Sequence, residues 1–198
     1  MSTVPLLDED CGANFSYRDF VECGETFATL EPNNVPKQQR TYAALQELAR
    51  EILDPVWNEF GKIELTYGIS CQALYRHIKA RISPNLDQHA SYELNAAGNQ
   101  ICNRGGAAVD FYCPAADALN VAQWIVIHCP FDRLYFYGLK RPIHISIGPD
   151  ESRRVVLMRE SNKMHRRIPR NTSIEEFIGL KQDDDLVRSC TVKPGESL

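Results

Sequence analysis

From Gln38 onward, apolar side chains recur at Tyr42, Leu45, Leu48, Ala49, Ile52 and Leu53. This three- and four-residue spacing lays one apolar stripe along a helix that runs to about Asp54. Pro55 is tolerated in a first helical turn and opens a continuation through Val56, Trp57 and Phe60, which Gly61 stops. Ile63 to Tyr67 alternates and predicts a strand, broken by Gly68. A second helix is predicted over Cys71 to Ala80, with Leu74, Tyr75 and Ile78 facing inward. A strand follows over Ala107 to Tyr112, then a helix from Ala115 to His128 carrying Leu119, Val121, Trp124 and Ile125. Arg133 to Tyr137 and Ile143 to Ile147 read as a β-pair around the turn at Gly138 to Pro142, and Val155 to Met158 adds another strand. Upstream, Ser16 is placed to cap a short helix, Tyr17 to Cys23, that ends at Gly24. Asn33 to Pro36 and Ser83 to Asn85 carry turn chemistry. Helices and strands mixed without a repeat predict an α+β fold, a small antiparallel sheet flanked by helices.

The chain has 198 residues, enough for one domain with a real core. We expect a flexible acidic arm over 1–13, a single domain over 14–180, and a disordered acidic and polar tail over 181–198. Hydrophobic residues make up 43% and charged residues 24%, which excludes an intrinsically disordered chain. The net charge of -4 and pI near 5.7 argue against non-specific nucleic-acid binding. No apolar run approaches a membrane span, and the first ten residues carry acids where a signal peptide has basic residues, so a cytoplasmic protein is expected. The seven cysteines are irregularly spaced and include no CxxC pair, which reads as buried reduced thiols.

The stretch Asp87 to Asp110, with the strand Pro142 to Ile147, carries the candidate chemistry. His89, Asp110 and His144 are candidates for a common divalent metal. Imidazole and carboxylate suit zinc, and three ligands leave a position for water. Gly105 and Gly106 ahead of Asp110 would let another backbone pass close by. Cys102 lies in the same stretch and is a further candidate ligand. The other histidines have plainer readings: His77 lies among Arg76 and Lys79, His128 ends a helix where a cation meets the dipole, and His165 belongs to the basic run Lys163 to Arg170. In the plainest reading of all, His89, Asp110 and His144 never meet.

Several short pieces occur in a telling order: Asn14-Phe15-Ser16-Tyr17-Arg18-Asp19-Phe20, Asn34-Val35-Pro36, Leu45-x-x-Leu48-Ala49-x-x-Ile52-Leu53-x-Pro55, Tyr67-Gly68, Gly106-x-Ala108-x-Asp110, and Phe131-Asp132-Arg133-Leu134 leading to His144-Ile145-Ser146. This order resembles the zinc D-Ala-D-Ala carboxypeptidase family in its small single-domain branch, with the hedgehog/DD-peptidase fold. The resemblance covers Asn14 to Ile147. It implies a zinc-dependent hydrolase of a peptide or amide bond, of bacterial or phage type, and a small peptide or amide substrate. Without a leader, such an enzyme would reach cell-wall peptide only on lysis.

The family pattern S-x-H-x-x-G-x-A-x-D, with a later histidine, supplies the zinc ligands. Asp110 and His144 match it directly. Strict spacing from Gly106 puts Asn103 in the first histidine's place, whereas an insertion after Asp87-Gln88-His89 would make His89 the counterpart. The family's S-G-Y-R strand end, whose Arg holds the substrate carboxylate or its oxyanion, is Tyr67-Gly68-Ile69-Ser70 here, so Ser70 replaces the Arg. The family's base, a Glu three residues before the last histidine, is Arg141. Arg141 would orient an anionic substrate or stabilise an oxyanion. Glu93 is then the candidate base and Tyr137 the candidate proton or hydrogen-bond donor. Loss of both the Arg and the base also fits a second reading, a catalytically inert ligand- or partner-binding module on the same scaffold.

Overall fold

The computed structural model describes residues 4–77, 84–161 and 166–190. The predicted end of the second helix, including Ile78 and Ala80, and the centre of the basic run with His165 lie outside the described residues, as do residues 191–198. The elements are α1 (Tyr17–Val21), α2 (Glu25–Leu30), α3 (Gln39–Leu48), α4 (Asp54–Phe60), β1 (Glu64–Tyr67), α5 (Gln72–Tyr75), β2 (Ala107–Tyr112), α6 (Ala118–His128), β3 (Arg133–Phe136), β4 (Ile143–Ile147), β5 (Arg154–Ser161), β6 (Arg166–Thr172), α7 (Ile174–Ile178) and α8 (Asp185–Arg188). The fold is α+β: one six-stranded sheet in the order β1-β2-β4-β3-β5-β6, antiparallel except where β3 runs parallel to β5. No helix of the described residues is long and apolar enough to cross a membrane.

Alternation along the strands gives the sheet two different faces. Val109 and Phe111 of β2, Ile143, Ile145 and Ile147 of β4, and Leu134 and Phe136 of β3 pack with Leu45, Leu48, Leu119 and Ile125 of the helices in one buried core. Residues of the opposite parity, among them Asp110, His144, Ser146, Arg133 and Tyr135, therefore share the other face. That is the face on which polar chemistry can be assembled.

Two local features set the frame. The helical run from Gln39 to Phe60 passes through a π-helical turn at Ala49–Leu53, just ahead of Pro55. Proline has no N–H for the preceding turn and crowds its carbonyl, and a widened turn accommodates both effects. At Gly106 the backbone has φ +78°, and a side-chain carbon there would lie 1.9 Å from the Ile147 carbonyl oxygen. The close backbone approach expected at the double glycine is therefore real, and only glycine fits.

Both predicted termini need correction. The segment before residue 14 is not a free arm from Val4 onward. Cys11 is fully buried, and the Asp54 carboxylate accepts the Ala13 and Asn14 N–H groups at 2.6 and 3.0 Å. The chain beyond 181 is packed as far as Cys190, with Val187 and Cys190 in the core. In both places isolated apolar residues in a polar sequence find a pocket on the neighbouring helix or strand.

Candidate metal centre

The site starts from strand register. Asp110 pairs directly with His144 across β2 and β4, His144 with Tyr135 across β4 and β3, and Asp110 with Tyr67 across β2 and β1. Directly opposed residues project from the same face, so these four side chains form a row across the polar face of the sheet. His89 comes down onto this row from a 3₁₀ turn, Gln88–Ala90.

That turn is fastened on every side. The Asp87 carboxylate accepts the His89 N–H at 3.1 Å, and Ser70 N–H donates to the His89 carbonyl at 2.8 Å. The buried Gln88 amide accepts from Ser146 Oγ at 2.8 Å and donates to Asp132 Oδ2 at 2.9 Å and to the Gly105 carbonyl at 3.1 Å. Ser91 Oγ donates to the Gly106 carbonyl at 2.5 Å. Asn34, also buried, fastens the Gly68 side of the site. It donates to the Val21 and Ile69 carbonyls at 2.9 and 2.8 Å and accepts from Cys71 N–H at 2.8 Å. A site whose supports are themselves hydrogen-bonded holds its ligating atoms in fixed positions.

His89 Nδ1 lies 2.8 Å from the Gly68 carbonyl oxygen, which has only lone pairs to offer, so Nδ1 carries the proton and Nε2 turns into the site. His89 Nε2 is 3.1 Å from His144 Nδ1 and 3.5 Å from Asp110 Oδ1, and the latter two atoms are 2.7 Å apart. Three potential ligand atoms thus form one small triangle, and the group can hold a metal ion. The two histidines are buried, whereas Asp110 keeps 25% of its side-chain surface exposed, so the group is open on one side.

In the absence of a cation the triangle is short of protons. One proton on His144 Nδ1 satisfies Asp110, but the lone pair of His89 Nε2 then still faces the Asp110 carboxylate at 3.5 Å. Burial opposes a charge on His89, yet the hydrogen bond and the negative charge of Asp110 outweigh it and raise the His89 pKa. Burial likewise pushes Asp110 up, but its bonds to His144 and then His89 hold the carboxyl below its usual range. A positive charge at the cluster, whether a proton or a metal ion, would satisfy these atoms.

No family model, no curated protein and no solved structure matches the chain. What the site can do therefore rests on its own geometry.

Of the candidate residues, His89, Asp110 and His144 come together. Cys102 and Asn103 do not join them. Cys102 is fully buried, and burial raises its thiol pKa, which disfavours the thiolate a metal needs. Asn103 is exposed, with its backbone N–H on the Asn85 carbonyl. Glu93 must be corrected. Its buried carboxylate accepts from the Lys37 and Gln38 N–H groups, each at 3.1 Å, and from Thr41 Oγ1 at 2.8 Å. It caps the start of α3, where the helix dipole favours an anion, and is not a member of the metal group. Tyr137 makes no hydrogen bond or ring contact with the three ligands among the described residues; burial, then the Asp110 charge, raises its pKa. Its ring lies under the Arg167 guanidinium, and the positive charge of Arg141 reaches Arg167.

Three contributors, Tyr67, Tyr135 and Gln88, escaped the sequence reading, and a fourth, Arg133, is expected there only as one of the arginines, with Arg104 and Arg141, that could line a cleft for an anionic ligand. The Tyr67 ring packs on His89 with centroids 4.2 Å apart, and the Tyr135 ring meets His144 edge-on at 4.9 Å. Gln88 fastens the turn. Arg133 is 92% buried, since only 8% of it is exposed; its Nε is 3.5 Å from Asp132 Oδ2, and Nε and Nη1 have no hydrogen-bond partner among the described residues. Tyr135 and Arg133 stand two residues apart on β3, on the His144 side, so counting by twos from the metal residues is the signal that finds them.

Proposed function

We propose that the group binds zinc and that the protein is a zinc-dependent hydrolase of a peptide or amide bond, a divergent relative of the D-Ala-D-Ala carboxypeptidases with the hedgehog/DD-peptidase fold. The observation that carries this reading is the donor triangle. Donors about 2.0–2.1 Å from a tetrahedral zinc stand about 3.3 Å from one another, and the three edges here are 2.7, 3.1 and 3.5 Å. Two imidazoles and one carboxylate, with no thiolate, form the donor set of catalytic rather than structural zinc sites. The colinear motif order from Asn14 to Ile147 supports the family.

Zinc, when bound, would supply a Lewis acid that polarises a carbonyl and makes water nucleophilic at neutral pH. The chain's own residues have separate tasks. The Gly68 carbonyl keeps His89 in the tautomer that presents Nε2. Tyr67, whose ring centroid lies 4.2 Å from that of His89, and Tyr137 are both kept protonated by burial, and we assign them as hydrogen-bond donors to a developing oxyanion. Asp87, whose Oδ1 accepts the His89 N–H at 3.1 Å, is the carboxylate nearest in the chain to a metal ligand and takes the proton-handling role first given to Glu93. Arg141 orients an anionic part of the substrate.

The sequestration of Glu93 in the helix cap favours a second reading, a catalytically inert module that binds a ligand over the same metal. One experiment separates the two. Zinc content is measured for the parent, His89→Ala and His144→Ala, and the zinc-loaded parent, Asp87→Asn and Tyr137→Phe are assayed on acyl-D-Ala-D-Ala and a panel of neutral amides. One zinc per chain, lost in both histidine variants, with turnover that falls in the other two, supports the hydrolase. Zinc without turnover on any substrate leaves the binding module. A parent that takes up no zinc sinks both.

A further inference from the structure

A concavity lies apart from the metal group. A cavity of about 450 Å³ is lined by Gln72, Tyr75, Asn85, Asn95, Gln100, Ile101 and Asn103. Its volume lies within the range of small-molecule sites, roughly 300–1,000 Å³. Among the described residues that line it, five of seven carry carboxamides and none carries a charge.

Three separate pieces of chain bring these residues together. Gln72 and Tyr75 come from α5, which begins two residues after Ser70, the residue bonded to the His89 carbonyl. Asn85 lies in the turn just before Asp87, and Asn103 N–H donates to its carbonyl at 2.9 Å. The remaining residues come from a hairpin-like excursion bridged at Leu94 and Gln100. Within it Asn95 Oδ1 accepts from Ala97 and Asn99 N–H at 3.0 and 3.1 Å, so Asn95 offers its amino end as a donor. The segments that fasten His89 thus also build this cavity, yet none of its lining residues belongs to the metal group.

The chemistry of the wall limits what can enter. A charged ligand would lose water and meet no opposite charge among the described lining residues. An apolar ligand would bury amide donors and acceptors without partners. A carboxamide offers two donors and an acceptor, and it pairs best with groups that also do both, namely hydroxyl and acetamido groups. A peptide in extended form presents its polar groups along a line and is usually matched by a strand edge. Here the amide-bearing residues surround one volume from several sides, with Tyr75 and Ile101 adding apolar surface. We propose that this cavity is a subsite for a neutral acetamido sugar, its hydroxyl and acetamido groups bound by the carboxamides and its C–H face set against Tyr75.

The test uses the full chain, zinc-loaded and metal-free, labelled with ¹⁵N. Asparagine and glutamine side-chain amides give their own NMR signals, so the ligand is read at the proposed wall. Tetra-N-acetylchitotetraose is titrated in, with maltotetraose and a blocked tetra-alanine peptide as comparisons. We expect saturable shifts of the Gln72, Gln100 and Asn103 amides in both zinc states, and at least tenfold weaker binding to Asn103→Ala and Tyr75→Ala at unchanged zinc content. Asn103 is exposed, so its variant tests the wall without disturbing the core. No saturable shift with the acetamido sugar overturns the proposal, as does equal binding of the peptide or binding that survives both substitutions. Because binding is also read without zinc, its failure is separate from any failure of the hydrolase reading.

Discussion

Glu93 offers the sharpest test of structural against catalytic roles. Its carboxylate is 4% exposed and accepts hydrogen bonds from Lys37 N, Gln38 N and Thr41 Oγ1 at the head of α3. Gln38, at the N-cap position, makes no side-chain capping bond of its own, so Glu93 does that work from a distance in sequence. Glu93→Gln keeps the size but removes the charge and turns an amino group toward N–H donors. Hydrogen bonds to a charged group contribute about 1.5–3 kcal/mol against about 1 for neutral ones. An anion at a partly buried helix N-terminus adds up to about 2 kcal/mol. These effects overlap, and a net loss of about 2 kcal/mol is expected. For a chain of this size that lowers Tm by roughly 4–8 °C. The assay is thermal unfolding by circular dichroism, with zinc content measured beside it and Glu47→Gln, exposed on the same helix, as the control. Glu47→Gln should move stability by less than about 0.5 kcal/mol. An unchanged Tm in Glu93→Gln, together with lost turnover, would refute the capping argument and return Glu93 to the chemistry.

Other consequences follow from the same geometry. Asn34→Leu removes three buried hydrogen bonds and should cost about 2–4 kcal/mol in chemical denaturation, while weakening zinc binding through the displaced Gly68 carbonyl. Gly106→Ala places a carbon against the Ile147 carbonyl at a positive φ and should cost more than about 3 kcal/mol, read as loss of soluble folded protein or a large fall in Tm. In metal-free protein His89 has a folded pKa raised above 6.5, so its stabilising charge is fully present below that pH and is lost as pH rises through the raised value. Tm of the metal-free protein should therefore fall from pH 6 toward pH 8, and His89→Gln should flatten that slope. Zinc affinity should run the other way, weakening as pH falls and His89 takes up a proton.

Much of the architecture was legible along the chain because burial leaves a period. The stripe from Tyr42 to Leu53 and the alternation in Ile143 to Ile147 each report one face packed against a core, and the structure places both as expected. The ligand types were legible too, since buried histidine and aspartate in a strand need a partner. β6 was not legible. Its residues R-R-I-P-R-N-T are polar and contain proline, and they form a strand because β5 supplies a paired edge and the outer side is open. The packed tails escaped for a similar reason: Cys11 and Val187 have no periodic neighbours to announce them.

The site divides in the same way. Chemistry written within one residue, such as a histidine's capacity to ligate or a glycine's tolerance of positive φ, was determined by the sequence alone. Whether Asp110 faces His144 depends on the register between two strands 34 residues apart, and a shift of one residue would turn the aspartate into the apolar core. His89 lies 17 residues ahead of Gly106, and only the fastened turn brings its Nε2 to the other two ligands. Glu93, four residues beyond His89, is drawn instead to the unpaired N–H groups of α3, where a buried carboxylate is most stable. Neighbours in sequence were thus separated, and distant residues were joined, by hydrogen bonds that exist only once the sheet and helices have packed.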